Sequence, residues 1–101
     1  MKEITVTELA TKLKNGDKIN IIDVREDEEV AMGKIPGARH IPLGEIADRL
    51  DDFDKTQHYY MVCRSGGRSG RACEFLTENG FDVTNMVGGM LAWEDDVEVE
   101  E

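Results

Sequence analysis

The chain has 101 residues and a formal net charge of −10, with a pI of about 4.6. That balance argues against nucleic acid and against an anionic membrane surface, since both want a basic face. No apolar run reaches the roughly 18 residues of a transmembrane span. Met1-Lys2-Glu3-Ile4-Thr5 lacks the apolar stretch of a secretory signal, so a cytoplasmic location is expected. Two cysteines, Cys63 and Cys73, are too few for a disulfide framework and read as thiols of a reducing compartment. The length suits one domain over 1–101, with a core over about 4–93 and an acidic tail over 94–101.

In chain order, Ile4 to Val6 predicts a short strand, and Thr7 a helix cap for a segment through Leu13 that Asn15-Gly16 stops. Ile19-Asn20-Ile21-Ile22-Asp23-Val24 predicts a buried strand. Glu26 to Met32 is acidic at its start and helix-prone, ending at Gly33. Ile35-Pro36-Gly37-Ala38 is a turn, and Arg39-His40-Ile41 a very short extended piece. Leu43, Ile46, Ala47 and Leu50 share one face of an expected amphipathic helix. His58 to Val62 predicts another strand, Arg68 to Asn79 a helix, and Phe81 to Val87 a last strand. Gly88-Gly89 leads to a short helix carrying Met90, Leu91 and Trp93, and the tail from Asp95 is expected to fray. Its acidic residues, Glu94-Asp95-Asp96 with Glu98, Glu100 and Glu101, read as solvated surface, as does Glu26-Asp27-Glu28-Glu29. Strands alternating with helices imply an α/β fold with a mostly parallel central sheet flanked by helices.

The chemistry concentrates in Cys63-Arg64-Ser65-Gly66-Gly67-Arg68-Ser69. A thiol at the carboxyl end of a strand, followed by two glycines and a helix start, is placed for an anion cradle. Gly66 and Gly67 let successive N–H groups converge, and the helix N-terminus adds its dipole. Arg64 and Arg68 add full charges suited to oxyanions. All of these favour the Cys63 thiolate over its thiol, so its pKa should fall below the free value of about 8.5. A P-loop and a dinucleotide fingerprint are both missing. No His or Cys cluster completes a metal-ligand set. The cradle alone leaves sulfur and phosphate chemistry both open.

This loop resembles the active-site loop of single-domain rhodaneses, the thiosulfate-type sulfurtransferases. Asp23-Val24-Arg25 with Gly33-Lys34-Ile35-Pro36-Gly37-Ala38 and Ile41-Pro42 is similar to the family's first signature, and Gly88-Gly89-Met90-Leu91-Ala92-Trp93 to its C-terminal one. The resemblance implies a rhodanese-like three-layer domain. It further implies sulfur transfer from thiosulfate or a similar sulfane donor to cyanide, a thiol or a protein, through a Cys63 persulfide held by the 64–69 loop, with no cofactor. Four residues separate Cys63 from Arg68, as in rhodaneses. Related cysteine phosphatases and arsenate reductases carry one residue more, which makes room for a whole tetrahedral oxyanion. Those enzymes are the competing expectation, with a non-catalytic sulfur carrier or binding module of the same fold as a third.

Other residues carry plainer expectations. Arg64 is expected at the pocket mouth, Arg68 either on substrate or bracing the loop, and Arg71 at the surface. Ser69 is a possible helix cap, and neither Ser65 nor Ser69 reads as a nucleophile. Cys73 reads as core. Asp23 and Arg25 should bind neighbouring backbone. His40 and His58 read as structural. Lys34 and His40 depart from the family's commoner His and Asn, which leaves the bracing of the nearby turn open. Trp93 with Met90 and Leu91 is expected to be a core lid.

Overall fold

A computed structural model describes residues 1–99. Five parallel strands form one sheet in the order β1-β5-β4-β2-β3. They are β1 (Lys2–Ile4), β2 (Asn20–Asp23), β3 (Arg39–His40), β4 (His58–Val62) and β5 (Asp82–Met86). The helices are α1 (Val6–Lys14), α2 (Asp27–Ala31), α3 (Gly67–Glu78) and α4 (Gly89–Ala92). Because every strand runs the same way, all carboxyl ends lie along one edge of the sheet, where such sheets bind ligands.

Period-two alternation explains the layers. Tyr59, Met61 and Cys63 of and just beyond β4 join Ile22 and Val24 in one cluster, which Ala72, Cys73 and Leu76 of α3 complete. Val62 and Ile21 turn the other way and meet Leu9 of α1, with Trp93 packed against that cluster. Both faces of the sheet are thus covered, as a parallel sheet requires. The expected α/β three-layer architecture is what the chain adopts.

Three local expectations are corrected. Thr5, not Thr7, caps α1: Thr5 Oγ1 accepts from Glu8 N at 3.1 Å and Glu8 Oε1 accepts from Thr5 N at 3.0 Å. This reciprocal capping box pulls Val6 into the helix and ends β1 at Ile4. The segment expected as a helix from Leu43 to Leu50 is two 3₁₀ pieces, Leu43–Glu45 and Ala47–Asp52, with Arg49 at φ −120° and ψ 27° breaking the second. Its apolar face still serves the core, through Ile46, Leu43 and Leu50.

The third correction concerns the tail, which docks rather than frays. Lys34 and Glu98 exchange backbone hydrogen bonds, and Lys34 Nζ donates to Glu98 Oε1 at 2.5 Å and to Ala38 O at 2.8 Å. Asp95 pairs with Lys14 at 2.9 Å, and Trp93 Nε1 donates to Asp96 O. Lys34 therefore braces the turn itself, and Glu98 is a partner rather than solvated surface. Glu100 and Glu101, also expected in the acidic tail, lie outside the described residues.

Candidate active site

Cys63 follows β4, the middle strand of the sheet, and the chain then turns sharply into α3. Gly66 makes that turn. It sits at φ +104°, a conformation that L side chains rarely adopt, and it precedes the first residue of α3. Its N–H donates to Cys63 Sγ at 3.0 Å, and the Ser69 hydroxyl donates to the same sulfur at 3.2 Å. Ser69 is buried and one turn into the helix. It therefore faces the sulfur and does not take the capping role expected of it; Gly66 holds the cap position of α3.

These donors oppose burial. Burial pushes the Cys63 thiol up, while the Ser69 hydroxyl and the N–H groups of Ser69, Gly66 and Ser65 pull it down, and the balance lies below the ordinary cysteine value. The sulfur is held as a hydrogen-bonded anion would be.

Asn85 of β5 organises the same cluster, and the sequence pattern alone did not single it out. Its Oδ1 lies 2.5 Å from Ser69 Oγ and shares that hydroxyl's single proton with the Cys63 sulfur, and its Nδ2 donates to Gly66 O at 3.1 Å. Gly66 O also accepts from Gly70 N at 3.0 Å. With its carbonyl pinned on the side of Asn85 and α3, the Gly66 peptide on the other side keeps its N–H on the sulfur. Asn85 lies 16 residues from Ser69, so only the strand register would have joined them.

The C-terminal glycines complete the frame. Met90 N donates to Cys63 O and Leu91 N to Arg64 O, both at 2.9 Å. Two carbonyls of the cysteine loop are thereby tied to the start of α4. Gly89 makes this approach possible: a Cβ there would stand 2.6 Å from Ser65 N and closer still to the Arg64 carbonyl.

The two loop arginines part ways. Arg68 forms a forked ion pair with Glu29 of α2, with contacts of 2.6 and 2.8 Å. The Arg68 hydrogen bond holds the Glu29 carboxyl down at about 2 against the opposing effect of its burial. Arg68 is a brace between α2 and α3. Arg64 is exposed and makes no ion pair among the described residues. It lines a shallow cavity with Arg25, Glu29, Met32, Met90 and Leu91. Ser65 and Gly67 are exposed on the loop, and Arg71 is exposed on α3.

Asp23 and Arg25 form the buried floor beneath α2. Arg25 Nη2 bridges Asp23 Oδ2 and Gly33 O, both at 2.8 Å, and Nη1 reaches Glu29 O at 3.3 Å. His40 Nε2 donates to Arg25 O at 2.6 Å. His58 lies between Thr84 and Asp82, in contact with the β5 strand. Both histidines are structural, as expected. Cys73 is a free, buried thiol whose pKa burial raises to about 12. Among the described residues no group of three or more His, Cys, Asp or Glu is placed to hold a metal ion, and no helix is long and apolar enough to cross a membrane.

Comparison with known proteins agrees with this arrangement. The Rhodanese-like domain family model matches residues 5–96. YtwF of Bacillus subtilis is 47% identical over 94 residues, covering 93% of this chain and 91% of the relative. A sulfurtransferase of Allochromatium vinosum is 34% identical, covering 92% and 88%. A rhodanese-like domain protein of Staphylococcus aureus superposes with a TM-score of 0.95 at 47% identity, with all of both chains covered. A cysteine loop at the end of a parallel strand, tied by its carbonyls to a glycine pair and matched along nearly the whole length, places the chain in the rhodanese-like domain family.

Proposed function

We propose that the protein is a sulfurtransferase in which Cys63 accepts a sulfane sulfur from thiosulfate or a similar donor and passes it to a thiophilic acceptor. The hydrogen-bonded sulfur of Cys63 carries this reading. Its thiolate attacks the outer sulfur of the donor, the Sγ–S bond forms, and the donor's S–S bond breaks with its electron pair leaving on sulfite. Cyanide, a thiol or a protein nucleophile then attacks the outer sulfur and returns the thiolate, a double displacement. Loop N–H groups over 64–68 and the start of α3 stabilise the negative persulfide. Two free thiols fit a reducing, cytoplasmic setting.

Phosphate chemistry fits less well. Three equatorial oxygens would need donors around the transferred group, whereas Ser69 Oγ and Gly66 N already close on the sulfur itself at 3.2 and 3.0 Å. Arg68, the cation that would clamp an oxyanion, is committed to Glu29. A purely binding module would have no use for a depressed thiol.

The test is intact mass under non-reducing conditions after incubation with thiosulfate, beside the Cys63→Ser variant. Gain of one sulfur atom in the parent alone is expected. No gain, with turnover of an aryl phosphate, would overturn the proposal in favour of a phosphatase.

A further inference from the structure

A second cavity, of about 300 Å³, lies between α1 and the segment that follows α4, and none of its lining residues belongs to the cysteine loop. Leu13, Pro36 and Trp93 give it apolar walls. Leu13 and Trp93 are half-buried, packed against the core on one side and lining the cavity on the other. The Trp93 indole N–H is spent on Asp96 O at 3.0 Å. The ring therefore offers the cavity hydrocarbon and π surface, with no donor left over. A cavity of about 150 Å³ holds benzene, so this one has room for a ring and a short chain.

Its charges do not cancel. Lys14, Asp95 and Asp96 complete the lining. Lys14 is closed on Asp95 at 2.9 Å, while Asp96 makes no ion pair among the described residues. Two carboxylates against one ammonium leave one negative charge in the wall. Both acids act on Lys14, Asp95 first through its hydrogen bond and Asp96 through its charge, and they raise its pKa. An indole face is the best side-chain surface for a cation. Phe81 already carries one, with Lys55 Nζ 5.3 Å from its ring centroid, but no cation of the described residues stands over Trp93. An anion would be repelled by this wall and by a chain of net charge −10. A bare inorganic cation would leave the apolar walls in water. A single positive charge on a small apolar body complements the charge, the ring and the walls together.

We infer that this cavity is a binding site for a small organic monocation, a primary amine carried on an aromatic or compact alkyl group, with Trp93 and Leu13 covering the apolar body and Asp96 meeting the charge. The inference is independent of the sulfur-transfer reading above.

The experiment titrates the 101-residue chain with 2-phenylethylammonium and follows tryptophan emission, which reports Trp93 alone because the chain has one tryptophan. A saturable change is expected. 2-Phenylethanol keeps the ring and lacks the charge, and should bind about five- to ten-fold more weakly. Ethylammonium keeps the charge and lacks the ring, and should bind at least about ten-fold more weakly. Asp96→Asn should weaken the amine about two- to five-fold and leave the alcohol unchanged, with the melting temperature verifying the fold. Trp93→Leu, read by saturation-transfer NMR on the ligand, should reduce the amine's advantage over the alcohol about two- to five-fold. A linear response to the amine, equal affinity for amine and alcohol, or an amine affinity that Asp96→Asn leaves untouched would each overturn the inference. So would a lysine-rich peptide that changes Trp93 emission where the amine does not, since the cavity would then take a side chain of a protein partner.

Discussion

Cys63 and Cys73 sit ten positions apart in the same core cluster, each at 0% exposure, yet their acidities shift in opposite net directions. Burial disfavours both thiolates. At Cys73, inside α3, backbone N–H groups are spent on the helix and no hydrogen-bond donor offsets burial, so the pKa rises to about 12. At Cys63 the Ser69 hydroxyl and the N–H groups of Ser69, Gly66 and Ser65 converge on the sulfur and reverse the outcome. A reactive cysteine is therefore made by the backbone around it, and depth alone makes an inert one.

The largest break in this comparison comes from alkylation. At pH 7 iodoacetamide should label Cys63 at least about 100-fold faster than Cys73, read by peptide mass after partial reaction, because the neutral thiol of Cys73 is a poor nucleophile. The rate at Cys63 should rise with pH through an apparent pKa below the free value of about 8.5. Equal labelling would remove the distinction. Gly89→Ala attacks the same contrast through the frame. The added methyl collides with the Arg64–Ser65 peptide, so the loop must move off α4 and its donors off the sulfur. Sulfur transfer should fall by roughly 30- to 100-fold, with a loss of about 1–3 kcal/mol in chemical denaturation. Cys73→Ala, by comparison, should cost about 1 kcal/mol of stability and keep the transfer rate within a factor of two.

Ser69→Ala removes one donor to the sulfur and leaves the backbone donors in place. A hydrogen bond to a charged group is worth roughly 1.5–3 kcal/mol, so the Cys63 pKa should rise by about one to two units. At pH 7 transfer should drop about ten-fold, and much of the loss should be recovered at higher pH, where the thiolate refills. A loss that high pH leaves untouched would mean that Ser69 acts on the transferred sulfur rather than on the thiol. Asn85→Ala should give a smaller shift in the opposite direction, since the Ser69 proton, no longer shared with Asn85 Oδ1, is left to the sulfur.

How legible this was depends on sequence distance. The strand, the thiol, the glycine turn and the following helix are contiguous, and their chemistry follows from neighbours in the chain. Alternation in Tyr59-Tyr60-Met61-Val62 already places two faces in the core. Asn85 is readable only once β4 and β5 are paired, with Met61 opposite Asn85. Glu29 looked like one more acid in a solvated run, and the 39 positions separating it from Arg68 hid its role. The tail shows a related limit: an acidic end without an apolar pattern suggests solvent, yet a buried lysine at position 34 needs a partner, and Glu98 supplies it. Val6 and Leu43–Leu50 show the local limit, where a capping box and a 3₁₀ turn override the simpler helical periodicity.

The smallest expected effect belongs to the brace. Glu29 is held at about 2 by Arg68, well below the unfolded carboxylate value of about 4.3. A depressed acid stabilises the fold while it is ionised in both states, so its contribution is complete above about pH 4.5 and declines as pH falls toward 2. Glu29→Gln should remove this acid-limb dependence and leave the remaining pH profile in place. The same substitution frees Arg68 beside the anionic sulfur, so the Cys63 pKa should stay where it is or fall slightly, and transfer at pH 7 should change less than about three-fold. If transfer instead drops as far as it does with Ser69→Ala, the ion pair holds the loop in its reactive shape, and the contrast between the two cysteines depends on α2 as well as on the loop's own backbone.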